Sequence, residues 1–297
     1  MSGEVGAGPS AERRALLQIH FCVLLWGFTA ILGKLITLPA LPLVTWRMLI
    51  VVAAIALLPR AWRELRRVPS RLAAVYAAIG AVVALHWLTF YGAIKLANAS
   101  VAASCMAISP IFVALVEPWI TARPFDWREL GIGLLAVPGV LLVVGGTPEV
   151  MHAGILVGVL SALLVAFFGS LNKRYVGRAG PLAVTGIELG AGAVLLGLVA
   201  LAWPHEGAAL PLPDARDAVL LGVLAIFCTL LPFALSLVAL RYTSAFTTQL
   251  AVSLEPVYAI VLAVLLLDEQ RELSASFYAG VAIILSAVLL HSLRQRR

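Results

Sequence analysis

"LAVSLEPVYAIVLAVLLL", residues 250–267, is an apolar run long enough to cross a bilayer, yet it carries Glu255 and Pro256 side by side. A carboxylate at the centre of a membrane-spanning helix costs roughly 2.5–3.5 kcal/mol on insertion scales, and a proline deletes a helical hydrogen bond as well. Both costs need an offset. With 62% hydrophobic and 12% charged residues over 297 positions and a mean hydropathy of +1.03, the chain is too apolar for a soluble domain, where about 25% of residues are charged. Cys22, Cys105 and Cys228 all sit within apolar runs, so neither a disulfide framework nor a metal or redox cysteine pair is expected. Arg13 and Arg14 precede an apolar run of spanning length with no cleavage motif, which reads as a retained first helix behind a disordered cytoplasmic segment, residues 1–14.

Apolar runs separated by short polar or Pro/Gly-bearing breaks fall near residues 16–37, 42–59, 72–95, 99–121, 129–146, 153–173, 181–203, 216–240, 244–267 and 274–293. Each has about 18–25 residues, enough for ~30 Å of hydrocarbon at a 1.5 Å rise. The expectation is an all-α integral membrane protein of ten transmembrane helices. A cytoplasmic N-terminus puts sixteen of the 21 basic residues on the inner side, leaves Lys95, Arg216 and Arg271 outside, and places Lys34 and Arg47 within spans. Both termini, including the basic tail 294–297, are therefore expected in the cytoplasm. The stretch "PRAWRELRRVPSR", residues 59–71, supplies five of the sixteen. These arginines set topology and touch anionic lipid, which accounts for a pI of 9.6 without any nucleic-acid partner.

At an offset of 146 residues the chain matches itself: "AIKLANASVAASCMAISPIF" from Ala93 lies over "ALRYTSAFTTQLAVSLEPVY" from Ala239. Pro110 falls on Pro256, Ser109 on Glu255 and Lys95 on Arg241, while "WGFTAILGK" near Trp26 resembles "AFFGSLNKR" near Ala166. Each half then holds five spans, and an odd number sends the halves into the membrane from opposite sides as an inverted repeat, with a site near the midplane where helices are interrupted. Glu255 and Pro256 offset their cost by breaking a helix where it lines a central cavity, so that the carboxylate and the freed carbonyls meet water or a ligand rather than lipid. Packing kinks and a structural partner for Glu255 stand as the alternative.

At this point "LHWLTFYGAIKLANASVAASCMAISPIFVALVEP", residues 85–118, and "LEPVYAIVLAVLLLDEQRELSASFYAGVAIIL", residues 254–285, resemble the two signature stretches of the EamA family in the drug/metabolite transporter superfamily. The resemblance covers nearly the whole chain and implies EamA repeats over 15–148 and 149–293, ten helices around a central cavity, and alternating access. It also implies export of amino acids or related metabolites from the inner membrane of a bacterium. The other reading within transport is a proton-coupled carrier of organic cations or drug-like compounds. Substrate and membrane lipid are the expected partners of a monomer or homodimer, and no cofactor is expected. An enzyme is disfavoured because no Walker A loop, Ser-His-Asp set, HExxH or Cys/His metal spacing occurs, which leaves no catalytic and no metal residue to assign.

Substrate-contacting candidates are Glu255, Tyr258, Ser109, Trp26, Phe28, His86, Trp87, Phe90, Phe168, Asn172 and Gln249, a mixture of π-faces, amides, hydroxyls and one carboxylate suited to an amphipathic zwitterion or cation. Glu255, Glu188 and His86 are the proton-coupling candidates, because intramembrane ionisable groups mark functional sites by default. Glu188 lies within the GxxxG spacing of Gly186 and Gly190, which predicts a tight helix contact beside it and equally a structural hydrogen bond. Arg47 falls about five residues into its helix, roughly 8 Å from the end, so its guanidinium is expected to snorkel to the outer interface. Glu117 is expected to pair with Arg123.

Overall fold

The computed structural model describes residues 9–135, 137–202, 208–252 and 254–294, and among them the chain is helical without a strand. In chain order the first half contains α1 (Pro9–Leu35), α2 (Ala40–Ala56), α3 (Pro59–Leu65), α4 (Ser70–Leu96), α5 (Ala99–Met106), α6 (Ser109–Thr121), α7 (Trp127–Leu134) and α8 (Val137–Gly145). The second contains α9 (His152–Tyr175), α10 (Pro181–Ala202), α11 (Ala215–Ala225), α12 (Leu231–Ala239), α13 (Ala245–Val252), α14 (Glu255–Leu267) and α15 (Ala275–Arg294). Among the described residues six stretches are long and apolar enough to cross a membrane, and a seventh is gained if α2 and α3, bent by 94°, are joined. The remaining runs expected to span are shorter or broken: α14 is a 13-residue helix behind the interruption before Glu255, and α7 and α8 have eight and nine residues.

The breaks follow from proline chemistry. Pro110 and Pro256 lack an N–H and sit in the first turn of α6 and α14, where that donor has no helical acceptor, so the chain stops one helix and starts another at matched positions of the repeat. The correspondence continues to the other end of both helices. Ala122 and Asp268, also 146 apart, end α6 and α14 in the left-handed conformation, both with φ 56°. Between α11 and α12 the backbone opens into a π-helical turn, Ile226–Leu230. Pro232 follows it and cannot donate to the carbonyl four residues back, which leaves Cys228 O free for another partner.

Hydrogen bonds gather the connections at two ends. At one, Asp217 accepts from the backbone N–H groups of Thr37 and Leu38. There too Glu269 accepts from Ala99 N and Ser100 N at the start of α5. At the other, Glu64 accepts from Leu182 N and Ala183 N at the start of α10. All three place a carboxylate on unpaired donors at or near a helix N-terminus, where the helix dipole favours it. Arg123 pairs with Glu117 at 3.2 Å, as expected, and also with Glu129.

Helix α5 is buried along its whole length, and its alanines and serines let neighbouring backbones come close. The tight contact beside Glu188 is made elsewhere than expected. A Cβ on Gly186 or Gly190 would meet Ile55 or Val52 only at 3.4 and 3.9 Å, whereas a Cβ on Gly80 of α4 would lie 2.1 Å from the Glu188 carbonyl oxygen. Gly80→Ala should therefore lower stability by about 1–3 kcal/mol through overpacking. Gly131→Ala, where no atom lies within 4 Å, should raise it by up to ~1 kcal/mol through helix propensity. Thermal melting of the two purified variants checks this, and equal melting points would refute the close α4–α10 crossing.

Candidate functional site

One cavity lies among α1, α2, α4, α5, α6, α9, α12, α13 and α14, with about 120 Å³ of water-accessible volume. Its wall includes Trp26, Thr29, Arg47, His86, Trp87, Phe90, Met106, Phe168, Asn172, Phe233, Ser236, Thr248 and Glu255. Of the residues expected from sequence, Glu255, Trp26, His86, Trp87, Phe90, Phe168 and Asn172 are brought together here. Three are not. Tyr258 is 41% exposed and Phe28 39%, and neither belongs to the cavity wall although both lie on helices that line it. Ser109 is fully buried and its hydroxyl donates to Met106 O at 2.7 Å, closing the break between α5 and α6. Gln249's side chain lies outside the described residues.

Arg47 corrects the expectation of snorkelling. It is only 3% exposed, and its guanidinium stacks on the Trp87 ring, Cζ lying 3.8 Å from the ring centroid. Nε donates to Thr229 Oγ1 at 2.6 Å, one terminal nitrogen to Tyr91 OH at 2.8 Å, and the other to Cys228 O at 3.4 Å. Two of these partners belong to the π-helical turn, and Cys228 O is the carbonyl that Pro232 leaves free. The positive charge is thus held in place by a distortion in a helix more than 180 residues away. Nothing in the spacing around Arg47 signalled this; Pro232 and the "CTLLP" run, residues 228–232, were the available sign of a helix distortion.

Across the cavity Glu255 interacts electrostatically with Arg47. Among the described residues it makes neither a hydrogen bond nor an ion pair, and its position in the first turn of α14 aims the carboxylate at the lining. His86 is fixed by Ser161 of α9, whose hydroxyl and carbonyl lie 2.8 and 3.0 Å from Nδ1. Its ring lies 5.2 Å from that of Phe168. Glu188 does not reach the cavity. It is wholly buried behind Asn172, whose amide donates to Oε2 at 3.3 Å. No group of three or more His, Cys, Asp or Glu side chains placed to hold a metal occurs among the described residues.

An all-helical chain with six apolar spans, interrupted helices at matched positions and an aromatic cavity holding both signs of charge defines an integral membrane protein with a route for small molecules. The model of the EamA-like transporter family matches residues 13–145 and again 152–293. The chain belongs to this family, as the sequence resemblance implied, and is a membrane transporter of the drug/metabolite superfamily. A solved structure described only as a crystal structure of a protein superposes with a TM-score of 0.70 at 18% identity, over 96% of this chain and 98% of the other, a likeness of fold. No curated protein matches the sequence.

Proposed function

We propose that the protein is a secondary transporter that exports small amphipathic metabolites, amino acids first among them, by alternating access around this cavity. The observation that carries the reading is the placement of Arg47 and Glu255 in one aromatic wall. A zwitterion offers its carboxylate to the guanidinium fork and its ammonium to the carboxylate, while its side chain lies on Trp26, Phe90 and Phe168. Since a water needs about 10–15 Å³ of such volume, the cavity takes about ten water-sized groups, the scale of a single amino acid. In this reading the chain has ten spans, with α5–α6 and α13–α14 counted as one each, in two inverted five-helix repeats. It lies in the inner membrane of a bacterium, with the arginine-rich end of the helices and both termini in the cytoplasm.

Flux in proteoliposomes of the purified protein, measured for amino acids, nucleosides, sugars and amines with and without a pH gradient, tests this. Saturable flux of apolar or aromatic amino acids is expected. Transport of amines with no zwitterion carried would favour the organic-cation reading, and no flux of any of them would overturn both. Within the same assay, Trp26→Ala and Phe168→Ala should weaken a large apolar amino acid more than a small polar one, by roughly 0.5–1.5 kcal/mol or up to about tenfold. The exposed Tyr258, changed to Ala, should not discriminate between them. Equal losses for both cargoes in the Trp26 and Phe168 variants would assign those rings to packing.

A further inference from the structure

Among the described residues, two buried oxygen atoms beside the cavity have no hydrogen-bond partner: Oε1 of Glu188 and Oδ1 of Asn172. They belong to side chains already joined through their other ends, Asn172 Nδ2 to Glu188 Oε2. Both residues are almost fully buried, at 0% and 3% exposure. An ionised carboxylate so placed, with one weak donor and no ion-pair partner among the described residues, carries a desolvation cost of several kcal/mol that the Asn172 amide offsets only in part. One proton on Oε1 changes both orphans at once. It removes the charge, turns Oε1 into a donor, and gives Asn172 Oδ1 something to accept, so that acid and amide bond reciprocally.

Several ionisable groups on the elements around α10 hold other partners. Arg47 of α2 is bound to Thr229, Glu64 of α3 to the start of α10, His86 of α4 to Ser161, and Lys173 of α9 to carbonyls of Leu240 and Thr243. Helix α12 carries no ionisable residue. Tyr76 of α4 is within electrostatic range of Glu188, but its hydroxyl donates to Tyr175 O at 3.1 Å.

Asn172 also has a second side. Besides the main cavity it lines a small pocket of about 10 Å³, walled by Tyr76, Tyr175, Pro181, Val184 and Arg241, at the connection between α9 and α10. That volume suits one water. Asn172 therefore stands between the cavity and this small pocket at the arginine-rich end, with Glu188 bonded to its amide.

We propose that Glu188 and Asn172 form a proton-binding site separate from the substrate contacts, which takes one proton from water in the small pocket and exchanges it with the cavity past Asn172. The site makes the proton the coupling ion of the transporter and rests on the reading of the cavity as a transport route. Infrared difference spectra of the reconstituted protein across a pH step test the site without needing a substrate. A carboxylic-acid C=O band should titrate in the wild type, persist in Glu255→Gln and vanish in Glu188→Gln; a Glu188→Gln spectrum identical to the wild type overturns the proposal. Asn172→Ala tests it should Glu188→Gln fail to fold: the band should move to higher wavenumber as the carbonyl loses its amide donor, and an unmoved band overturns the pairing. In vesicles loaded with leucine or phenylalanine, Glu188→Gln should keep exchange but lose accumulation driven by a pH gradient, whereas accumulation at the wild-type level overturns the coupling. A wild type that moves neither amino acid counts against the amino-acid reading, while the infrared band still decides the proton site.

Discussion

Arg47→Ala is expected to abolish transport and to destabilise the protein by about 3–5 kcal/mol, the cost of removing one partner from a buried, hydrogen-bonded charge arrangement. The guanidinium satisfies Thr229 Oγ1, Tyr91 OH and Cys228 O and covers the Trp87 ring. Hydrogen bonds to a charged group contribute roughly 1.5–3 kcal/mol each, and the π-helical turn loses the group that occupies its freed carbonyl. Glu255 would then lose the cation with which it interacts across the cavity. Arg47→Lys keeps the charge but not the planar fork, which bonds in three directions while stacking. It should fold better than the alanine variant and still transport poorly. Thermal melting in detergent beside proteoliposome flux separates the two contributions, and an Arg47→Ala protein with wild-type melting and flux would refute the arrangement.

Glu255→Gln should leave the fold intact, because the amide is close in shape and relieves the cost of a buried charge. Flux of a zwitterion should nevertheless fall by tenfold or more, since losing even about 1.4 kcal/mol of binding is tenfold, and it should lose the pH dependence that substrate binding contributes, while the response to a pH gradient through Glu188 remains. Ser109→Ala, at the matching position of the first half, provides the comparison. Its hydroxyl donates to the local carbonyl of Met106, so the change should cost about 1 kcal/mol of stability and little flux. Flux against pH for both variants, with their melting temperatures, checks the contrast. Glu255→Gln with a wild-type rate and pH profile would remove the residue from the site, and a lowered melting temperature with an unchanged pH profile would make it a structural partner.

The interruptions before α6 and α14 were legible because a proline deletes its own N–H whatever surrounds it; the neighbouring Glu255 then had to be explained by a cavity. The aromatic and amide residues of α4 and α9 were legible as a group for a similar reason, since 3.6-residue periodicity places them on shared faces. Periodicity does not say which face turns inward. Phe28 and Tyr258 lie on helices that do line the cavity, yet both are substantially exposed. The GxxxG spacing around Glu188 pointed to a tight helix contact there, which exists, but the glycine that makes it is Gly80 of α4 rather than Gly186 or Gly190.

By itself the sequence determined the membrane class, the helical fold, the matched helix breaks and the family, since exclusion from hydrocarbon and the geometry of proline act residue by residue and need no partner. Only the tertiary structure decided that Arg47 turns inward onto Trp87, that Cys228 O is its acceptor, and that Glu188 sits behind Asn172 rather than in the cavity. Each of these depends on which helix packs on which, a sum of contacts between residues far apart in the chain, and no local pattern records it.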